Sequence, residues 1–340
     1  YMVMGSSLVS VSSSGVVTTL ADVGTDGKPV SLDYGFPEKD EDFDSSPRLA
    51  IWSNGNLFYW WANALAQVTD PDLGTVIDGL WVDGYFMSTD GEFIIVTELN
   101  DPLAVQTTKY GSAEVDPDPL KSLLKVRNEV HAVGRYTIEV FRNIGGTGYP
   151  FQRITGGHMT KGAVGTHASC VYMESVAFVG SGRNEQPGVY IGVNGRVQKI
   201  SSREVDEILE TYTDAELADT VVETRNDRSS DLLYIHLPDR TLSYDYIASQ
   251  QAEVKVWAVL HDGINGYSKY RAKFMVYGYT KWIVGDTSTS NIGTLTGAIG
   301  TRWGDVVKWE FGTQIVYNEG QGAVFSELEL VTLTGSISDG

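Results

Sequence analysis

Five histidines, His131, His158, His167, His236 and His261, are the first residues to test for metal or acid–base chemistry. No two stand at the i, i+4 spacing that sets two imidazoles on one helix face. No cysteine pair accompanies them, so the sequence offers no zinc site. His131 and His236 lie inside apolar runs and read as strand residues. Cys170, the single cysteine, sits in Ala168-Ser-Cys-Val-Tyr-Met173, where a small core side chain is the natural reading rather than a nucleophile. No Gly-x-Ser-x-Gly elbow is present, which removes that class of hydrolase. The glycine-rich Gly145–Gly148 lacks the Lys-Ser/Thr that holds phosphates and leads into Tyr-Pro-Phe instead of a helix. The acidic run Pro37–Asp44 lacks the glycine and closing glutamate of a calcium loop and reads as an exposed loop.

Carboxylates are plentiful enough for a glycosidase. Ser88-Thr-Asp-Gly91 and Ser338-Asp-Gly340 resemble the start of the sialidase Asp-box turn, without its aromatic end in place, and no arginine cluster for a sugar carboxylate can be picked out. Trp60, Trp61, Trp257 and Trp282 are candidate sugar platforms, but core packing is the commoner use of aromatics in strand patterns. The reading therefore assigns no catalytic, cofactor-binding or metal residue and no cofactor.

The elements that carry these residues are strands. Leu-Ala-Ile-Trp52 and Leu57-Phe-Tyr-Trp flank the turn Ser53–Asn56, and Trp81-Val-Asp-Gly-Tyr-Phe-Met87 is followed by Glu92-Phe-Ile-Ile-Val-Thr97. Similar groups recur at Leu123–Asn143, Ala168–Ile200, Leu232–Val259 and Arg271–Ile283. Their starts are roughly 35 to 45 residues apart, the length of a propeller blade. A sandwich would repeat strands every 8 to 12 residues or so without that longer period. The pattern predicts an all-β fold, a β-propeller of about six somewhat irregular blades over residues 1–300. A strand pair at 301–340 would begin a second small β domain. Helix is scarce. Ser202–Tyr212, capped by Ser201 or Ser202, is the best candidate, Thr213-Asp-Ala-Glu is a capping box, and Pro119-Leu-Lys-Ser-Leu-Leu124 would be one short helix.

Composition narrows the function classes. The chain has 340 residues, 18 Tyr, 11 Phe and 8 Trp, too much aromatic surface for a disordered segment. Its formal net charge of -19 opposes a tight grip on nucleic acid, yet suits a conduit along which DNA slides. No run reaches the roughly 18 apolar residues that span a membrane, so no membrane anchor is expected. Neither end resembles a signal peptide, and both read as the interior of a longer chain.

One ordered block is more specific. It runs Gly79-Leu-Trp-Val-Asp-Gly-Tyr-Phe86, Leu99-Asn-Asp-Pro-Leu103, Ala113-Glu-Val-Asp-Pro-Asp-Pro-Leu120, Arg127-Asn-Glu-Val-His-Ala-Val-Gly134, Thr137–Gly145, Tyr149-Pro-Phe-Gln-Arg153, Gly188-Val-Tyr-Ile191, Lys199-Ile-Ser-Ser202 and Thr241–Tyr246. This series resembles the packaged-DNA stabilisation proteins of short-tailed bacteriophages, the tail hub or nozzle family. It departs from them after Tyr244, where Val256-Trp-Ala-Val-Leu-His261 replaces a tight turn. The resemblance implies a non-enzymatic structural protein of the virion tail, assembled in the host cytoplasm. Such a protein attaches below the portal–adaptor complex as a homo-hexameric ring. It contacts the tail needle, fibres or spikes, passes DNA without specific binding and helps retain packaged DNA. The signature positions it marks are Trp81, Asp83, Gly84, Asp101, Pro102, Glu114, Asp116, Pro117, Gly134, Glu139, Asn143, Gly145, Tyr244 and Asp245, all read as turn formers or packing residues. The alternatives are a carbohydrate-binding or sialidase-like propeller and a cellular scaffolding propeller.

Overall fold

The computed structural model describes residues 1–36, 47–99, 101–113, 117–146, 148–227, 230–264, 268–308, 310 and 312. The acidic loop around Asp40 and the expected strand pair after residue 312 lie outside them. The chain divides into two compact units, Tyr1–Val259 and Leu260–Gly340.

Among the described residues seven sheets of three or more strands follow one another along the chain, each an antiparallel meander except the fifth, where β16 and β17 both pair with β18. The first is β1 (Met2–Met4), β2 (Ser7–Val11) and β3 (Val17–Asp22). The second is β4 (Ser31–Gly35), β5 (Arg48–Ser53), β6 (Asn56–Trp61) and β7 (Ala64–Gln67). The third is β8 (Asp78–Val82), β9 (Tyr85–Thr89), β10 (Phe93–Glu98) and β11 (Asp101–Ser112). The fourth is β12 (Leu120–Val126), β13 (Glu129–Gly134), β14 (Ile138–Asn143) and β15 (Phe151–Arg153). The fifth is β16 (Gly162–Ala163), β17 (Ser169–Tyr172), β18 (Ser175–Ser181), β19 (Gly188–Val193) and β20 (Arg196–Lys199). The sixth is β21 (Val221–Asp227), β22 (Ser230–His236), β23 (Thr241–Asp245), β24 (Val256–Asp262) and β25 (Ser268–Lys269). The seventh, in the second unit, is β26 (Ala272–Gly278), β27 (Lys281–Asp286) and β28 (Ile292–Leu295), followed by the hairpin β29 (Thr301–Arg302) and β30 (Asp305–Val306). The fold is an all-β propeller arrangement with seven such blades, one more than the sequence pattern resolved. The pattern places a unit at Arg271–Ile283; the blade it does not count is the first, whose β1 has three residues and whose β3 is largely exposed, so neither carries the apolar run of the others.

Period-2 geometry explains why blades of the first unit stack. In the third blade Phe86 and Ile95 point to one side, where they join Trp52, Leu57 and Tyr59 of the second blade. Tyr85, Met87, Ile94 and Val96 point to the other side, against Leu120, Leu123, Val130 and Phe141 of the fourth. The second blade alternates in the same way, sending Ile51, Phe58 and Trp60 toward Leu8 and Val23 of the first. Val133 and Ile138 of the fourth blade enter a larger cluster with Phe178, Val179, Leu233 and Ile235 of the fifth and sixth. Both faces of the second, third and fourth sheets are therefore dry, and each of these seams is an apolar core. At about 25 cal/mol per Å² of apolar surface, these seams supply the main driving force for stacking.

Among the described residues three helices interrupt the strands. α1 (Arg203–Leu209) starts at Ser202, whose hydroxyl accepts from the Val205 amide, and α2 (Asp214–Ala218) opens on the complete Thr213/Glu216 capping box, both as expected. α3 (Tyr246–Ala252) was not anticipated. Its cap is Asp245, which accepts from the Ala248 amide. The short helix expected at 119–124 is instead strand β12. Leu120 and Leu123 enter the seam with the third blade, and pairing with β13 from Leu120↔Gly134 to Val126↔Glu129 outweighs the local signal of Pro119 at a helix start.

The second unit is organised by charge as well as by its small core of Tyr270, Ala272 and Val284. Arg271 grips Asp286 through Nε (3.0 Å) and Nη2 (2.5 Å), and reaches Asp305 through Nη1 (3.1 Å). Asp286 also accepts from Thr289 Oγ1, and the guanidinium beside it holds its carboxyl well below the usual range. Arg271→Ala is expected to destabilise this unit by about 3 kcal/mol, because it leaves a buried carboxylate without its cation. Because Asp286 has a lowered pKa, its contribution is present above pH ~4 and fades as pH falls further. Limited proteolysis of wild type and variant between pH 7 and pH 3 reads both effects. Equal cleavage of residues 260–308 in the two proteins at pH 7 would contradict the assignment.

Candidate functional site

One strand from each of the second to sixth blades, β4, β8, β12, β17 and β21, lies beside the next in order. Polar side chains on these strands bridge blade to blade. Asp78, at the start of β8 and 6% exposed, accepts from Ser31 Oγ of β4 (2.6 Å) and from the Leu123 amide of β12 (2.8 Å). One carboxylate therefore holds three blades. Burial pushes its pKa up to about 6, against the opposing pull of these hydrogen bonds. Asp33 accepts from the Trp81 amide at 2.7 Å, Lys125 Nζ donates to the Trp81 carbonyl at 2.9 Å, and Ser122 and Ser169 hydroxyls meet at 2.8 Å. The Val222 amide donates to the His167 carbonyl (2.9 Å), and His167 Nε2 donates to the Pro29 carbonyl (3.1 Å), 138 residues away in the chain. Closer to solvent, Arg127 reaches Glu174 (3.0 Å) and Tyr172 Oη donates to the Asp231 carbonyl (2.7 Å). The arrangement clamps adjacent sheets over their apolar seams, which is mechanical work.

The signature positions fall in this framework. Trp81 is half-buried on β8 with Lys125 Nζ 5.2 Å from its ring. Asp83 and Gly84 form the β8–β9 turn with φ of 49° and 88°, a turn with both central residues left-handed. Asp101 and the buried Pro102 open β11. Pro117 offers its carbonyl to Arg183 Nη2 at 2.9 Å, linking the fourth blade to the fifth. Gly134 is buried where a Cβ would meet Asp118 Oδ2 at 2.4 Å. Glu139 is buried, 3.5 Å from Arg153 Nη1. Asn143 Oδ1 accepts from the Gly145 amide (2.9 Å), and Gly145 has φ 69°. Tyr244 is buried with its ring 5.1 Å from Trp257, and Asp245 caps α3. Glu114 and Asp116 lie outside the described residues. These positions are spread over blades and turns and do not converge on a common pocket.

The reactive candidates are also absorbed by packing. His236 is clamped between Glu223 Oε1 (2.6 Å) and Thr241 Oγ1 (3.0 Å). Burial pulls His131 down to about 4, so it is neutral; it lines a cavity of about 160 Å³ with Glu129 and Asn194. Burial pushes the Cys170 thiol far up, which leaves it unreactive. Trp60 is buried in the first seam, and Trp257 Nε1 donates to the Ile200 carbonyl. Among the described residues no group of three His, Cys, Asp or Glu side chains can hold a metal ion, and no helix is long and apolar enough to cross a membrane. Sequence reasoning missed the latching residues Asp33, Asp78, Ser122 and Ser169. The one available signal was a polar side chain at or inside one of these strands, which elsewhere in the chain marks only a turn.

A protein family described as the β-propeller of bacteriophage P22 Gp10 matches residues 1–300. The tail hub protein gp10 of Salmonella phage P22 is 30% identical over 243 residues, which cover 69% of this chain and 50% of that protein. The chain thus spans about half the length of that curated relative. Among solved structures, the Pan2 WD40 domain of Neurospora crassa gives a TM-score of 0.44 at 9% identity, over 80% of this chain and 76% of that one. The extracellular domain of a hybrid two-component system from B. thetaiotaomicron gives 0.42 at 10% identity, over 75% of this chain and 32% of that one. The family match across the blades and the ordered motif block that runs through them agree: the chain belongs to the family of the bacteriophage P22 Gp10 β-propeller, a family of structural phage tail hub proteins.

Proposed function

We propose that this chain works as a rigid wall element of a phage tail hub. Residues 1–300 are its propeller, and residues 301–340 begin a second small β domain. In this reading copies of the chain close a homo-hexameric ring below the portal–adaptor complex. The ring extends the DNA channel, helps retain packaged DNA and receives the tail needle, fibres or spikes. The protein is a component of the virion tail, assembled in the host cytoplasm, and its role is structural, without catalysis. The observation that carries the reading is the family match across the blades. The physics is consistent with it. Blades with two dry faces and polar latches resist load, and a heterologous contact repeated by rotation closes a ring. The net charge of -19 gives a wall that repels the DNA phosphates it guides.

A phage carrying a stop codon in this gene tests the proposal. The expected outcome is capsids that package and then lose DNA, with infectivity restored by supplying the chain in trans. DNA-filled, infectious particles made without the chain would overturn it.

A further inference from the structure

The stretch from β25 into β27 departs from the rest of the chain in both charge and polarity. Residues 263–285 hold Lys269, Arg271, Lys273 and Lys281 and no aspartate or glutamate, in a chain whose net charge is -19; Arg271 is itself paired with Asp286 and Asp305, so Lys273 and Lys281 are the cations on the hairpin. The β26–β27 hairpin in this stretch also exposes large apolar side chains: Phe274 47%, Val276 46%, Tyr277 60% and Tyr279 54%. Scattered single exposures are ordinary on a protein surface, but four within six residues concentrate apolar surface on one hairpin, with Val276 and Tyr277 on opposite faces of its strand. β26 is an edge strand, the first in the order β26-β27-β28. Its register shifts between Lys273 and Val276, where Phe274 takes φ 60°. Such a bulge interrupts the ladder and blocks continuous strand addition. What the hairpin offers at its surface is therefore aromatic and basic side chains, not a continuous backbone edge. Valine and bulged phenylalanine beside tyrosines also fit a folded protein surface better than a DNA duplex, whose bases are stacked away from reach.

A surface of the opposite character is present on the same chain. The α1–α2 segment exposes Glu204, Glu207, Glu210, Asp214, Glu216 and Asp219 within sixteen residues. Cations temper it through Arg203–Glu207 (2.9 Å), Arg135–Asp214 (3.6 Å) and Lys199–Asp206 (2.7 Å). The segment is held in place by Val205, Leu209 and Leu217, which are buried in the core of the first unit. We infer that the basic aromatic hairpin β26–β27 docks on the acidic α1–α2 segment of a second copy of this chain. The two patches differ from each other, so the contact is heterologous and propagates from copy to copy. Apolar area from Phe274, Val276, Tyr277 and Tyr279 supplies affinity, while the charges set orientation and exclude like-signed faces. The inference rests on the ring reading given above and names the surfaces that would build it.

The test places the photoreactive residue p-benzoylphenylalanine at Tyr279 in the full-length protein and irradiates assembled tails. Mass spectrometry should recover cross-links to residues 199–220 of another copy. Cross-links to DNA, to another tail protein, or to a different surface of this chain, or no cross-link in tails that contain the protein, would overturn the inference. Charge reversal supplies a second arm in the same particles. Lys273→Glu with Lys281→Glu should reduce hub incorporation at least tenfold, and adding Glu207→Lys with Glu210→Lys should restore it. Full incorporation of the first variant would also overturn the docking. The copy number of the chain in wild-type tails, counted separately, tells failure of this contact from failure of the ring itself.

Discussion

Replacing Gly180 with valine is expected to destabilise the first unit by at least ~3 kcal/mol, and to abolish its cooperative unfolding if the fifth blade cannot adjust. The cause is space. A Cβ at Gly180 would stand 1.7 Å from the Gly162 carbonyl oxygen, and one at Gly162 would stand 2.2 Å from the Gly134 carbonyl oxygen. Three glycines thus form a column of backbone against backbone, from the end of β13 through β16 to β18. A flexible side chain could swing aside, but here the obstacle is the main chain of a paired strand, Gly162↔Ser181 and Ala163↔Gly180. Any β-carbon must push β16 off the sheet and open the seam with the fourth blade. Gly148→Ala is the control, because a Cβ there meets nothing within 4 Å. Urea unfolding followed by tryptophan fluorescence measures both. A Gly180→Val midpoint close to that of Gly148→Ala would contradict the packing argument.

Asp78→Ala is expected to lower stability by about 3 kcal/mol at pH 7. It leaves the half-buried Ser31 hydroxyl and the buried Leu123 amide without their shared acceptor, and hydrogen bonds to a charged group contribute roughly 1.5–3 kcal/mol each. Asp78→Asn behaves differently. Its Oδ1 can accept from Leu123 while its Nδ2 donates to the Ser31 hydroxyl, as a protonated aspartic acid would. The pH dependence follows from the raised pKa of about 6 in the fold against about 3.9 unfolded. A carboxyl raised by folding contributes stability that is full below pH ~4 and is lost as pH rises through 6. Asp78→Asn should therefore match wild type near pH 4 and exceed it near pH 7, by up to roughly 3 kcal/mol. Chemical unfolding of the two proteins at several pH values reads the crossing. Parallel stability curves would show that Asp78 is not the titrating latch.

The fold was legible where side chains obey one rule at a time. Runs such as Phe93-Ile-Ile-Val are apolar on both faces because each face enters a different seam, and they were read as strands. The caps Ser202 and Thr213 signalled their helices because a local hydrogen bond decides a helix start. Residues 119–124 misled because a proline at a helix start is a local signal, whereas β12 is fixed by its partner β13 and by the third blade. α3 was invisible because its cap, Asp245, closes a strand whose pattern dominates the window. The latches were hidden for a different reason. Ser31, Asp78 and Leu123 are far apart in sequence and meet only when three blades stack. The family resemblance reached the function through an ordered string of turn and packing residues, none of which performs chemistry alone.

Cryo-electron microscopy of the native phage particle tests the central claim most directly, by locating this chain in the tail. The account predicts six copies closed around the tail axis below the portal and its adaptor, with blade sheets forming the wall of the DNA channel. Density for the chain away from that axis, or its absence from the tail, would contradict it.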